Sequence, residues 1–225
     1  MHICFLDIDG TLILTGGAGQ AAFARTLADD FGITEINRRV QFAGRSDRAI
    51  AMDLFRSHGI EPSPENWLRF CAGYLTRLEE ALARHQGNVL PGVAELLSML
   101  AVRGDVAVGL LTGNVREGAK RKLAFYGLWE HFPFGGFGDD HVERCDIAAA
   151  AMAAARLHLN GSSGLGQVLV IGDTLHDISC GRSIGARCVA VPTGHTTAEE
   201  LGTGSPDVLV ETLADAGPIL ALLDE

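Results

Sequence analysis

Four aspartates stand in two short segments, Asp7-Ile8-Asp9-Gly10-Thr11-Leu12 and Gly172-Asp173-Thr174-Leu175-His176-Asp177, each directly after an apolar run. Carboxylates two residues apart project to one side of an extended chain. An apolar run headed for a protein interior should not end on paired anions unless a cation offsets them. A third segment, Thr112-Gly113-Asn114, follows Gly109-Leu110-Leu111 and opens a helical stretch. A threonine hydroxyl and the free amides of a helix start form a natural cradle for phosphate oxygens. Taken singly, each segment also fits a strand-to-turn junction or a helix cap.

The elements that must position these residues follow from the hydrophobic pattern. Apolar runs rich in Val, Ile and Leu recur at 2–8, 105–112, 167–172, 186–191 and 207–211, with helix-like stretches between most of them. That alternation predicts βαβ units, hence an α/β fold with a Rossmann-like parallel sheet. In an open parallel sheet, ligands bind outside the carboxyl ends of the strands, so all three segments converge on one rim. Four carboxylates there repel one another without a divalent cation, and an all-oxygen set favours Mg²⁺ before Ca²⁺.

The first two runs are separated by about 95 residues, far more than one crossover helix needs. The excess predicts an inserted helical cap over 15–88, with helices at 17–31, 46–58 and 64–85, leaving 1–14 and 89–225 as the core. Ser46 and Ser63 are expected N-caps, and Gly59 a C-terminal stop. Trp67, Cys71, Tyr74, Leu78 and Leu82 share one face of the third helix and read as packing residues. Gly16, Gly17 and Gly19 on one side, and Gly87, Asn88, Pro91 and Gly92 on the other, suit flexible joints.

DIDGTL, TGN and GDTLHD, in this order and with a helical insert after the first, resemble the haloacid dehalogenase superfamily of phosphohydrolases, in its phosphoglycolate-phosphatase-like branch. The resemblance covers nearly the whole chain. It implies that Asp7 is a nucleophile forming an aspartyl-phosphate, and that Asp9 protonates the leaving oxygen and later activates water. It further implies Mg²⁺ held by the Asp7 carboxylate, the Asp9 carbonyl and Asp173, with Asp177 in support. Thr112 and the amides of Gly113 and Asn114 would bind phosphoryl oxygens.

The family often carries a phosphate-binding lysine before the Asp173 strand, but the stretch from Gly138 to Arg144 has none. The chain has only Lys120 and Lys122, both after Thr112. Lys122 shares a helix face with Val115, Ala119 and Tyr126, whereas Lys120 points away. Lys122 is therefore the expected cation and Arg144 the second choice, since Asp139, Asp140 and Glu143 offer Arg144 local ion pairs. Asp139 and Asp140 themselves read as helix N-caps. Gly44-Arg45-Ser46-Asp47 resembles the specificity loop of such caps, so Arg45 is a candidate to bind the substrate. His176 and His195 fall near the rim without an assigned role.

A formal net charge of −10 over 225 residues opposes a nucleic-acid partner, and no apolar stretch is long enough for a membrane span. Five scattered cysteines without a CxxC pair suit reduced thiols, and with a start unlike a signal peptide they point to the cytoplasm. The expected activity is Mg²⁺-dependent hydrolysis of a small phosphorylated metabolite. Two rivals stand beside it: a phosphotransferase or sugar-phosphate mutase of the same family, and a non-catalytic binding module. Dehalogenation is disfavoured by Asp9, and carbon–phosphorus cleavage by the absence of lysine from 15–88.

Overall fold

The computed structural model describes all residues except 37–39 and 41, inside the predicted insert, and 161–163. The first half of the chain forms β1 (His2–Leu6), β2 (Ile13–Leu14), α1 (Ala18–Phe31), α2 (Asp47–Ser57), α3 (Pro64–Arg84), β3 (Asn88–Val89) and α4 (Val93–Val102). Next come β4 (Val106–Leu111), α5 (Arg116–Phe125), β5 (Gly135–Gly136) and α6 (Arg144–His158). The chain ends with β6 (Val168–Gly172), α7 (Leu175–Ser183), β7 (Arg187–Ala190), α8 (Ala198–Thr203), β8 (Val208–Leu209) and α9 (Gly217–Ala221).

Six strands make one parallel sheet in the order β5-β4-β1-β6-β7-β8. Counted along the chain this is the 3-2-1-4-5-6 order of a doubly wound sheet, so the Rossmann-like expectation holds. Alternation along the strands supplies two faces. Cys4, Leu6, Leu110 and Ile171 pack on the side of α4 and α5, while Ile3, Phe5, Leu111 and Val170 meet α6. Both faces are covered, as a parallel sheet requires.

The strands are shorter than the apolar runs. The first stops at Leu6, before its carboxylates, and the run at 207–211 pairs only through Val208 and Leu209 at the sheet edge. Strand β5 was not expected, because a Gly-Gly pair has little strand propensity. It exists because α6 lies directly on it: a Cβ on Gly136 would collide with the Ile147 carbonyl.

Helices α1 to α3 build an apolar cluster of their own around Phe23, Leu27, Phe55, Phe70 and Leu78. Ser46 and Ser63 cap α2 and α3 by accepting from the N–H groups of Ala49 and Asn66, and Gly59 follows α2 at φ 71°. Trp67, Tyr74, Leu78 and Leu82 are buried as expected, whereas Cys71 is only partly so. The predicted stripe omits Phe70, whose ring meets Phe23, Phe55 and Tyr74 at 4.8, 5.8 and 6.2 Å.

Leu14 and Asn88 pair in an antiparallel β2–β3 ladder, and Gly19 lies within α1. Only Gly16 and Gly17, at φ 61° and 88°, form the turn before α1. Among the described residues no helix is long and apolar enough to cross a membrane.

Candidate active site

Parallel register brings the three segments together. Leu6 aligns with Leu110 on one side and Ile171 on the other, so β1, β4 and β6 end at nearly one level. Asp7, Thr112 and Asp173 then emerge side by side, with the Asp7 N–H donating to Ile171 O at 3.0 Å. The crevice between β1 and β6 is the switch point of the sheet, where the chain reverses its direction of winding.

Asp7, Asp173 and Asp177 are buried, and one oxygen from each lies within 4.8 Å of the others. Burial pushes Asp7 up to about 7; Asp177 and Asp9 add to this, while Arg144 and the Thr112 hydroxyl oppose it. Burial likewise pushes Asp173 up to about 8, reinforced by Asp177 and Asp7 and opposed by Thr11. A divalent cation would reverse that balance.

The oxygens divide into used and unused. Asp177 accepts from Arg144 through Oδ1, and through Oδ2 from the Thr174 amide and hydroxyl at 3.1 and 2.6 Å. Asp173 Oδ1 accepts from the Thr11 hydroxyl at 3.1 Å. Asp7 Oδ1 is buried with no hydrogen-bond partner among the described residues; the Arg144 Nη1 atom stands 3.6 Å away. An orphaned, desolvated carboxylate oxygen beside a second buried carboxylate fits a hard cation.

Asp9 lies on the open side of the rim. Its Oδ2 accepts from Lys122 Nζ at 2.6 Å and Asn114 Nδ2 at 2.8 Å. Lys122 also donates to Asn114 Oδ1 at 2.6 Å, and Asn114 Nδ2 to Thr112 Oγ1 at 2.9 Å. Helical side chains lean toward the N-terminus, which lets Lys122 reach back from the second turn of α5. Gly19 of α1 packs over its end: a Cβ there would lie in ordinary contact, 3.5 Å from Nζ.

Several expectations change. Arg144 does not pair with Asp139, Asp140 or Glu143; it is buried and turned to Asp177 and Asp7, because α6 packs beside α7 under the rim. Asp139 is a cap, but for α5, accepting from the Arg116 N–H at 2.8 Å, while Asp140 is exposed and Glu143 occupies the cap position of α6. The Asn114 backbone N–H, an expected phosphate donor, donates to Thr112 Oγ1 at 3.3 Å, and its side chain is engaged with Asp9, Thr112 and Lys122. Gly113 is backed by Arg45: a Cβ there would collide with the Arg45 carbonyl.

A cavity of about 440 Å³ opens above these groups and is closed on its far side by α1, α2 and α3. Phe23, Phe42, Ile50 and Tyr74 give it an apolar wall, and the Tyr74 hydroxyl is buried without a partner among the described residues. Arg45 lines the cavity with its guanidinium paired to Asp53 at 2.8 Å. His195 lies at the exposed edge, and the His176 ring packs on Gly44. The sequence reading quoted Thr11 and Asp47 inside motifs and Tyr74 as packing, without giving any of the three its own role at the site. No local signal separates the first two from ordinary turn and helix-start residues, and Tyr74 reads as packing by its spacing.

Comparison with known proteins agrees with this geometry. A protein from Dickeya dadantii named probable phosphatase IndB is 29% identical, over 98% of this chain and 94% of that relative. Phosphoglycolate phosphatase from Synechococcus elongatus is 29% identical over 96% and 95%. The crystal structure of CbbY from Rhodobacter sphaeroides in complex with phosphate superposes with a TM-score of 0.73 at 21% identity, covering 100% of this chain and 99% of the other. Residues 4–182 match the family model for haloacid dehalogenase-like hydrolase. That matched segment starts inside β1, ends inside α7 and contains the whole rim; the chain belongs to the haloacid dehalogenase-like hydrolases.

Proposed function

We propose that the protein is a Mg²⁺-dependent phosphatase acting on a small phosphorylated metabolite, with residues 15–88 serving as a cap over a core of 1–14 and 89–225. The observation that carries this reading is the pairing of charges at the rim. Asp7 stands beside Arg144, and Asp9 beside Lys122. A transferring phosphoryl group needs neutralisation and positioning more than covalent help, and two cations flanking two carboxylates supply both.

An Asp7 oxygen attacks phosphorus and the bond to the leaving oxygen breaks, while Asp9 hands that oxygen its proton. Asp9, now a carboxylate, takes a proton from water whose oxygen attacks the aspartyl-phosphate, releasing phosphate and restoring Asp7. Arg144 offsets charge on the nucleophile side and Lys122 on the leaving-group side. The Thr112 hydroxyl and the Gly113 amide orient phosphoryl oxygens. Asp7, the Asp9 carbonyl and Asp173 would hold Mg²⁺, with Asp177 fixing Arg144 behind them. When bound, the ion neutralises phosphoryl charge and polarises a phosphoryl oxygen. The named activities of the two bacterial relatives support a phosphomonoester substrate, and the reduced thiols support work in the cytoplasm.

Phosphate release from p-nitrophenyl phosphate and from a panel of phosphorylated metabolites, with Mg²⁺ and with chelator, tests the reading. Release that requires Mg²⁺ supports it. No release from any ester sinks it, and phosphate passing to a sugar hydroxyl instead of water makes the protein a phosphotransferase.

A further inference from the structure

Asp47 is the first residue of α2, yet its polar ends are bonded to the sheet half of the molecule. Its N–H donates to Gly113 O at 2.8 Å, and its Oδ2 accepts from the Val115 N–H at 2.9 Å. It is buried, a rare place for a carboxylate. Its neighbours bind the same surface: Ser46 Oγ donates to Val142 O at 2.8 Å, and Arg48 Nη1 to Asp139 O at 2.7 Å.

The seat for this segment is cut by two glycines. A Cβ on Gly113 would strike the Arg45 carbonyl, and one on Gly138 would strike the Gly113 carbonyl and press on Ser46 Cβ at 3.1 Å. Val115 is the N-cap residue of α5 and offers no side-chain cap. The helix start is completed from outside, by Asp139 at the Arg116 amide and by Asp47 at the Val115 amide. Asn114 lies between the two atoms that Asp47 holds, and its amide group grips Asp9.

From this geometry we propose that Asp47 is a positioning residue. Seating of residues 45–48 clamps the turn at 113–115 and, through Asn114, sets the orientation of Asp9, so that the acid is aligned only when the insert is docked. Asp47 lines the cavity, but its bonds run to the turn at 113–115 and it acts through that turn. The kinetic part of the proposal rests on the phosphatase reading above; the structural part does not.

The test compares Asp47→Ala with Asp47→Asn, whose amide oxygen still accepts from the Val115 N–H. On an alkyl phosphate from the metabolite panel, whose leaving oxygen needs the acid's proton, Asp47→Ala should lose about 10²-fold in kcat with KM nearly unchanged, the scale of a misplaced catalytic group, and it should lose less on p-nitrophenyl phosphate. Asp47→Asn should recover most of that loss. Asp47→Ala combined with Asn114→Ala should be little worse than the poorer single variant, because both act through one contact. Hydrogen exchange at 113–118 should quicken in Asp47→Ala and stay slow in Asp47→Asn.

Full kcat in Asp47→Ala, a loss confined to KM, additive losses, or equal damage from Asp47→Asn would each overturn the proposal. Should the alanine variant not fold, Asp47→Ser, too short to reach Val115, takes its place. A wild-type protein without phosphatase activity would remove the functional reading alone. Exchange then decides the clamp, and unchanged protection at 113–118 in Asp47→Ala overturns it.

Discussion

The rim of the sheet and the wall of the insert enclose one cavity and are built on opposite principles. At the rim, Asp7, Asp173, Asp177, Lys122 and Arg144 are all buried. Across the cavity the insert presents aromatic rings and, its buried Asp47 and cavity-lining Arg45 apart, carries charges in outer pairs such as Arg25–Glu80 and Arg84–Glu80. Exposed pairs of that kind contribute little, about 0–1 kcal/mol each, so the insert is held by its apolar cluster. Buried charges cost several kcal/mol per ion to desolvate, and a rim assembled from them stores electrostatic work that catalysis can use. On the proposed function, chemistry belongs to the rim and the shape of the substrate cavity to the insert.

The largest effect expected at the rim is from Asp7→Asn, which keeps volume and removes the proposed nucleophile. Turnover should fall by about 10⁴-fold or more. Thermal melting should be unchanged or improved, since a desolvated anion is gone. An active Asp7→Asn enzyme would end the distinction between rim and wall.

Replacing the two cations sharpens it. Lys122→Met and Arg144→Met should each cost about 10²- to 10³-fold in turnover, the usual scale for one electrostatic stabiliser. They should differ in kind. The Lys122 loss should shrink on esters with good leaving groups, as in Asp9→Asn, whereas the Arg144 loss should not depend on the leaving group. Arg144→Met also leaves Asp7 and Asp177 without their partner and should cost about 3–5 kcal/mol of stability by denaturant titration.

A smaller effect is the response of stability to pH and metal. Asp7 and Asp173 rise from 3.8 to about 7 and about 8 in the folded protein, so the folded state binds more protons across that window. Metal-free protein should therefore lose stability as pH climbs from 4 to 8. Mg²⁺ competes with those protons. Its stabilisation should be near zero at low pH and reach about 2–3 kcal/mol above pH 8 at 100-fold over Kd. A Tm increment independent of pH would remove the ion from these carboxylates.

The smallest effect belongs to the wall. Arg45→Ala should raise KM for the preferred metabolite by roughly tenfold or less and leave p-nitrophenyl phosphate untouched, since only remote binding energy is lost. Equal effects on both esters would move Arg45 from the wall to the rim.

The sequence by itself determined what depends on neighbours in the chain. Alternating apolar runs marked five strands of the sheet, Ser46 and Ser63 marked helix starts, and three polar segments after apolar runs marked the rim. Tertiary structure alone decided which charges meet. Lys122 reaches Asp9 across 113 residues, Arg144 reaches Asp177 across 33, and Val115 reaches Asp47 across 68. Arg144 shows why: its near neighbours in sequence include Asp139, Asp140 and Glu143, but α6 buries it under the rim, where Asp177 and Asp7 wait. Local patterns specify which face of an element is apolar, whereas partners between elements follow from sheet register and helix packing. The short strand at Gly135–Gly136 and the ladder between β2 and β3 were hidden for the same reason: both exist only because another segment lies against them.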